Sequence, residues 1–383
     1  MTTIYLDHNA TTPVDPAVRD EMAACLGGAP GNPSSLHSFG REARRVIDRA
    51  RARAARLIGA QPGEIVFTSG GTEANNLAIM GAISAANRPR PHIVASAVEH
   101  QAVLNVCRHF KSIGSQVSLL QVDQEGLLDP AAAISSLRGD TAVVSVMLAN
   151  NDIGTVQPVA ALSSPARERG IPVHSDAVQA VGKLPVDVKT LAVDLLSFSG
   201  HKLHGPQGAG ALYIRQGIKL APIMFGGHQE RGLRPGTENV AAIAGFGKAC
   251  ELAAARLAAD AVHLEALRSS FEASILARVP TAAVNGRGAP RLPNTSNISF
   301  AGLDGELLAV NLDLLGIAVS TGAACSTTDR EPSHVLLAMG RTPEQARSSV
   351  RFSFGRGNTP AEALLAADSV VRAVQMMRGG AAC

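Results

Sequence analysis

The chain has 383 residues, 46% hydrophobic and 17% charged, enough apolar material for a sizeable core in one large α/β unit or two domains. That profile excludes both a disordered chain and a small disulfide scaffold. Lys+Arg 35 against Asp+Glu 32 gives a formal charge of +3, aromatic residues are 3% and Trp is absent, a balance that argues against nucleic-acid binding, which needs a basic face and stacking rings. The five cysteines, Cys25, Cys107, Cys250, Cys325 and Cys383, form no CxxC pair, so neither a disulfide framework nor a cysteine-built zinc site is expected and a reducing cytoplasm is the default. Met1 to Asp7 has neither a basic nor an apolar leader region, and no run of about 18 apolar residues occurs. Neither export nor membrane insertion is expected.

From about residue 40, helical stretches alternate with short apolar runs, the pattern of an α/β fold with a mostly parallel central sheet flanked by helices. Residues 41–60 read as a basic amphipathic helix with a solvated arginine face. Strands are predicted at 64–67, 92–95, 117–120, 142–146, 172–174, 194–197 and 210–214, with helices near 72–86, 101–112, 130–137 and 159–169. A long Ala/Leu-rich helix follows over about 238–279, then a Gly/Pro/Arg-rich linker at 285–293. The remainder reads as strand 296–300, helix 304–315, strand 317–319, helix 333–339, strand 349–354 and helix 360–377. The expected division is a large domain over 14–255 and a smaller α+β domain built from 1–13 and 256–383.

In such sheets ligands gather at the carboxyl ends of the strands, and the chemistry-bearing residues cluster there. Lys202, in Ser197-Phe-Ser-Gly-His-Lys202, follows an apolar strand and is placed to form a Schiff base with an aldehyde cofactor. Asp176, ending another strand, would hold a pyridinium nitrogen protonated; taken alone it reads as a helix cap. Gly70, Gly71 and Thr72 precede a helix whose N-terminal amides suit a phosphate, with Ser199 and His201 as further donors, although the same turn would serve as a simple cap. His100 offers an imidazole to stack on a ring or move protons. Arg351, in a strand, reads as either a carboxylate clamp or half of an internal salt bridge. Cys325 lies in a run of small polar residues and reads as an accessible nucleophile, whereas Cys25, Cys107 and Cys250 sit in helical apolar surroundings and read as packing.

The ordered strings Tyr5-Leu-Asp-His-Asn-Ala-Thr-Thr12, Phe67-Thr-Ser-Gly-Gly-Thr-Glu73, Glu99-His100, Asn150-Asn151, Asp176-Ala-Val-Gln179, Ser197 to Lys202, Gly236-Thr-Glu-Asn239, Glu331-Pro-Ser-His334 and Val350-Arg-Phe-Ser353 resemble the cysteine desulfurases among the fold-type I pyridoxal phosphate transferases. The wording of Asn32 to Gly40, Gly200 to His204 and Gly227 to Gly232 is closer to the NifS branch, tied to nitrogenase cluster assembly, than to the housekeeping IscS branch. The resemblance implies that Lys202 carries pyridoxal 5'-phosphate, Asp176 pairs with its ring nitrogen and Gln179 with its ring hydroxyl. Gly71, Thr72, Ser199 and His201 would hold the phosphate, with Thr237 from a second copy, hence a homodimer. His100 would stack on the ring and shuttle protons, Asn151 would bind cofactor and substrate, and Arg351 the substrate carboxylate. Cys325 would take the sulfur of L-cysteine as a persulfide, releasing L-alanine, and pass it to an iron–sulfur scaffold protein. No metal site of the chain's own is implied, only transient ligation by Cys325 of a cluster shared with the scaffold. The usual Ser-Gly-Ser-Ala-Cys-Thr-Ser reads Thr321-Gly-Ala-Ala-Cys-Ser-Thr327 here, and Asn-Asn-Glu reads Asn150-Asn-Asp152. An aminotransferase or selenocysteine lyase on the same fold would leave Cys325 without a sulfur-transfer role. A non-catalytic scaffold is disfavoured because Lys202, Asp176, Gln179, Thr72 and Cys325 occur together.

Overall fold

The computed structural model describes residues 3–28, 30–321 and 331–379. In chain order the elements are β1 (Ile4–Tyr5), α1 (Pro16–Leu26), α2 (Ser38–Leu57), β2 (Ile65–Thr68), α3 (Gly71–Ala85), β3 (His92–Ser96), α4 (Gln101–Ser112), β4 (Gln116–Leu120), α5 (Pro130–Ser135), β5 (Thr141–Ser145), α6 (Val159–Glu168), β6 (Val173–Asp176), β7 (Leu195–Ser199) and β8 (Gly210–Ile214). There follow α7 (Val240–Arg278), β9 (Ala282–Asn285), β10 (Thr295–Phe300), α8 (Gly305–Leu314), β11 (Ile317–Ala318), α9 (His334–Ala338), α10 (Pro343–Arg347), β12 (Ser349–Ser353) and α11 (Pro360–Gly379).

Seven strands form one mixed sheet in the order β2-β8-β7-β6-β5-β3-β4. Only β8 runs antiparallel to its neighbours; the pairs from β7 to β4 are parallel. Parallel strands covered on both faces need continuous apolar or small side chains, and β3, β5 and β7 are buried at every position while the edge strand β4 is half exposed. All seven predicted strands of this sheet are present.

A second core lies around the antiparallel sheet β12-β10-β9, closed by α8, α11 and the far half of α7. Helix α7 runs through both units: Ala242 to Ala253 pack in the first core and Leu264 to Ile275 in the second. The expected boundary at residues 255 and 256 thus falls inside one continuous helix. The N-terminal segment is sewn to the second unit by β1 pairing with β11 and by Asp7 bridging Ser353.

Two expectations change. Arg51 does not belong to a solvated face: its guanidinium forms a two-pronged pair with buried Glu230 and lies over the Phe67 ring at 4.6 Å. Burying that carboxylate requires a full set of partners, and Phe67 N–H supplies the rest. The stretch 285–293 is no loose linker either, since Arg291 pairs with Glu272 at 2.8 Å, both nearly buried, and Leu292 enters the first core. Helix α1 is the long element the pattern did not predict; Asp15 caps it through the Ala17 N–H and Pro16 starts it, but Val18 is its one buried residue.

Candidate active site

Ten of the candidate residues, Gly71, Thr72, His100, Asn151, Asp176, Gln179, Ser199, His201, Lys202 and Arg351, arrive from separate elements and line one cavity of about 810 Å³. Lys202 closes a single helical turn after β7, and Asp176 is the last residue of β6. Gly71 and Thr72 open α3, His100 caps α4, and Asn151 follows β5 by six residues. Arg351 comes from β12 of the second unit, so the cavity lies between the two cores. Gln179, Ser199 and His201 also line it.

Each side chain is held. Asp176 is 5% exposed; its Oδ2 accepts from Asn75 Nδ2 at 2.6 Å and its Oδ1 from the Val178 N–H, which leaves a fixed carboxylate at the cavity wall. Lys202 Nζ donates to the carbonyls of Asn9 and Ala10, the latter at 2.6 Å. His100 Nδ1 accepts the Ala102 N–H at 3.1 Å, so in the neutral ring the proton sits on Nε2. Arg351 Nη2 meets Asp7 Oδ1 at 2.8 Å and Nη1 meets the Asn151 carbonyl, while its buried Nε has no partner. Arg351 is therefore salt-bridged and also lines the cavity.

Burial, reinforced by the neighbouring Lys202 and Lys183, pushes the His201 pKa down to about 4, so the ring is neutral near pH 7 and acts through hydrogen bonds, the observed one being between Nδ1 and Thr11 Oγ1. Burial also lifts Glu99 well above the usual carboxyl range; it is fully buried next to His100, and its Oε1 accepts the Met147 N–H. His334, whose Nε2 donates to the Glu99 carbonyl, lines the cavity as well and braces the His100 turn.

The pocket suits an aldehyde cofactor with a phosphate. Helix α3 begins at Gly70 with no side-chain cap, so its first amides face the cavity unsatisfied by protein, and an anion there would complete them. Ser199 Oγ is buried without a hydrogen-bond partner beside Gly70. A Cβ on Gly71 would lie 2.6 Å from Val178, so only glycine leaves this turn undistorted. Glu73 reaches back to the Ser69 N–H from inside the helix, half of a capping box, but no side chain returns the bond to the first amides.

Two candidates stand apart. Thr237 is exposed and does not line this cavity. Cys325 lies outside the described residues. Other residues were missed by sequence reasoning. Asn9 is the hub of the site: its carbonyl accepts from Lys202 and Gln179, its Oδ1 from Lys183 and Asn294, and its Nδ2 donates to Asn151 and Thr295. Asn75, Asp7 and Lys183 were also missed. Asn9 stood inside a quoted string, but no local pattern marks a residue whose partners lie some 140 to 290 positions away.

Comparison with known proteins supplies the remaining evidence. The family model "Aminotransferase class-V" matches residues 4–364. A cysteine desulfurase IscS of Dictyoglomus turgidum is 46% identical over 375 residues, covering 98% of this chain and 95% of its own. A cysteine desulfurase of Nostoc sp. is 46% identical over 369 residues, covering 94% and 90%. Among solved structures, a "NifS-like protein" superposes with a TM-score of 0.91 at 36% identity over 98% of this chain and 100% of that one. The structure described as "SspA in complex with cysteine" has a TM-score of 0.82 at 35% identity, covering 92% and 99%.

Proposed function

The chain belongs to the class-V aminotransferase family and within it to the pyridoxal phosphate-dependent cysteine desulfurases, and from that premise we propose that it takes sulfur from L-cysteine onto Cys325 and delivers it to an iron–sulfur scaffold protein. The observation that carries the substrate reading is the convergence of Lys202, Asp176 and Arg351, from three different elements, on one cavity. Pyridoxal phosphate bound there supplies an electron sink conjugated with the substrate's α-carbon.

The protein's own groups divide the remaining work. The first turn of α3, Thr72, Ser199 and His201 take the phosphate, and the Asp176 carboxylate, fixed by Asn75 and the Val178 N–H, holds a proton on the ring nitrogen. Arg351 offers the substrate carboxylate a guanidinium already oriented by Asp7, with Asn151 beside it. With the cofactor bound, Lys202 Nζ would move the α-proton, and His100, whose neutral ring carries its proton on Nε2, would pass protons at the cavity wall. The Cys325 thiolate then attacks the substrate sulfur: an S–S bond forms as the C–S bond breaks, the electron pair stays on carbon, and protonation there gives alanine.

We place Thr237 in the cavity of a second copy, with a cytoplasmic homodimer as the working form. The wording of the NifS-like strings favours nitrogenase cluster assembly as the destination, with housekeeping iron–sulfur assembly as the other outcome. The test is alanine and sulfide release from L-cysteine. The native protein releases both; Cys325→Ala loses sulfur transfer, and Lys202→Ala loses both activity and the visible cofactor band at about 400 nm. Continued rapid desulfuration by Cys325→Ala would overturn the thiol's role, and persistence of the band in Lys202→Ala that of the lysine.

A further inference from the structure

Behind Lys202 lies a second lysine that the reaction does not use. Lys183 is 7% exposed, and its Nζ donates to Gln179 Oε1 at 2.6 Å and to Asn9 Oδ1 at 3.2 Å. No ion pair joins it to a carboxylate among the described residues, which is unusual for a buried amine. The titratable and charged groups that face it are Lys202 and Arg351 on one side and the rings of His8, His201 and His204 on the other. Burial, then the Lys202 and Arg351 cations, holds its pKa well below the ordinary lysine range. Its two observed hydrogen bonds each go to an oxygen acceptor.

Lys183 decides which way round the Gln179 amide sits. Gln179 Nε2 donates to the Asn9 carbonyl at 2.9 Å while Oε1 accepts from Lys183. Turning the amide over would set Oε1 against the Asn9 carbonyl, two acceptors face to face, and would take from the Lys183 amine the oxygen it donates to. One orientation is therefore imposed by the surroundings. It leaves the second hydrogen of Nε2 for the cavity that Gln179 lines.

Resting on the reading of Gln179 given above, we propose that Lys183 is a positioning residue that locks the Gln179 amide so that it meets the bound cofactor's ring oxygen as a hydrogen-bond donor. A donor at that oxygen stabilises its ionised form and weakens its hold on the proton of the neighbouring Lys202 linkage. Losing the lock therefore raises the pH at which that linkage gives up its proton.

The experiment is a spectrophotometric pH titration of the cofactor-loaded protein, read as the midpoint of the visible band rather than as activity. Lys183→Met and Gln179→Ala are each expected to raise the midpoint by about one pH unit, the scale of one hydrogen bond to a charged group. The double variant is expected to shift no further than Gln179→Ala alone, because the two residues act through one contact. Lys183→Gln, which keeps a donor toward Oε1, is expected to hold the parent midpoint, and it serves also where Lys183→Met does not fold. A shift in Gln179→Ala with none in Lys183→Met, full additivity in the double variant, or a Lys183→Gln shift as large as that of Gln179→Ala would each overturn the proposal. No shift in Gln179→Ala would overturn the underlying reading of Gln179 and the proposal with it.

Discussion

Arg351 shows what a single residue carries here. Its position in an apolar strand made a buried guanidinium legible, but not its partner, because Asp7 lies 344 positions away and no local spacing joins them. The structure shows the salt bridge, in which Asp7 fixes the fork, and sets the same guanidinium at the cavity wall. Lysine would keep the charge and lose the planar fork, so Arg351→Lys is expected to raise KM for L-cysteine about tenfold, with kcat changed less. Steady-state kinetics on purified variant and parent check this; an unchanged KM would remove Arg351 from the substrate site. Lys202, Asp176 and Gly71 were legible for the opposite reason, since each follows a strand whose apolar run announces where it ends. Asn9, Asn75 and Lys183 follow nothing of the kind, and their roles exist only once distant segments meet.

At the scale of elements, the strands of the main sheet and the long helix α7 were readable because continuous apolar runs and Ala/Leu periodicity are strong signals. The two-residue strand β1 and the short helix α10 have too few residues to show a period. Two exposed segments carry the dimer proposal. Leu36 and Phe39 at the start of α2 and Met224 and Phe225 after β8 are exposed, Phe225 at 87%. Arg44, on α2, bonds both the Pro33 carbonyl and Glu238, the neighbour of Thr237, and so ties the first of these segments to the Thr237 turn. A covered apolar patch next to Thr237 is what a second copy would supply. Light scattering is expected to give the mass of two chains, and Phe225→Asp to give one chain with weakened cofactor retention; a parent mass of one chain would contradict the role of Thr237.

Over the whole molecule, several histidines are buried in the neutral form. Burial pushes His8 and His174 down to about 3, and His201 and His204 to about 4. An unfolded chain protonates its histidines near pH 6.5, so as the pH falls from there toward 4 the unfolded state binds protons that the folded state refuses. Stability therefore falls across that window and is unaffected by these groups above it. Thermal unfolding followed from pH 7.5 down to 5 is expected to show a falling midpoint; a flat or rising one would contradict the buried neutral rings. The same packing draws two cores together around one cavity, and the central claim concerns what happens in it. The most direct test is to give the cofactor-loaded protein L-cysteine without a reductant or acceptor, then map added sulfur by mass spectrometry of its peptides. The account predicts one extra sulfur atom on the peptide carrying Cys325 and one alanine for each; alanine formed with no sulfur on that peptide would contradict it.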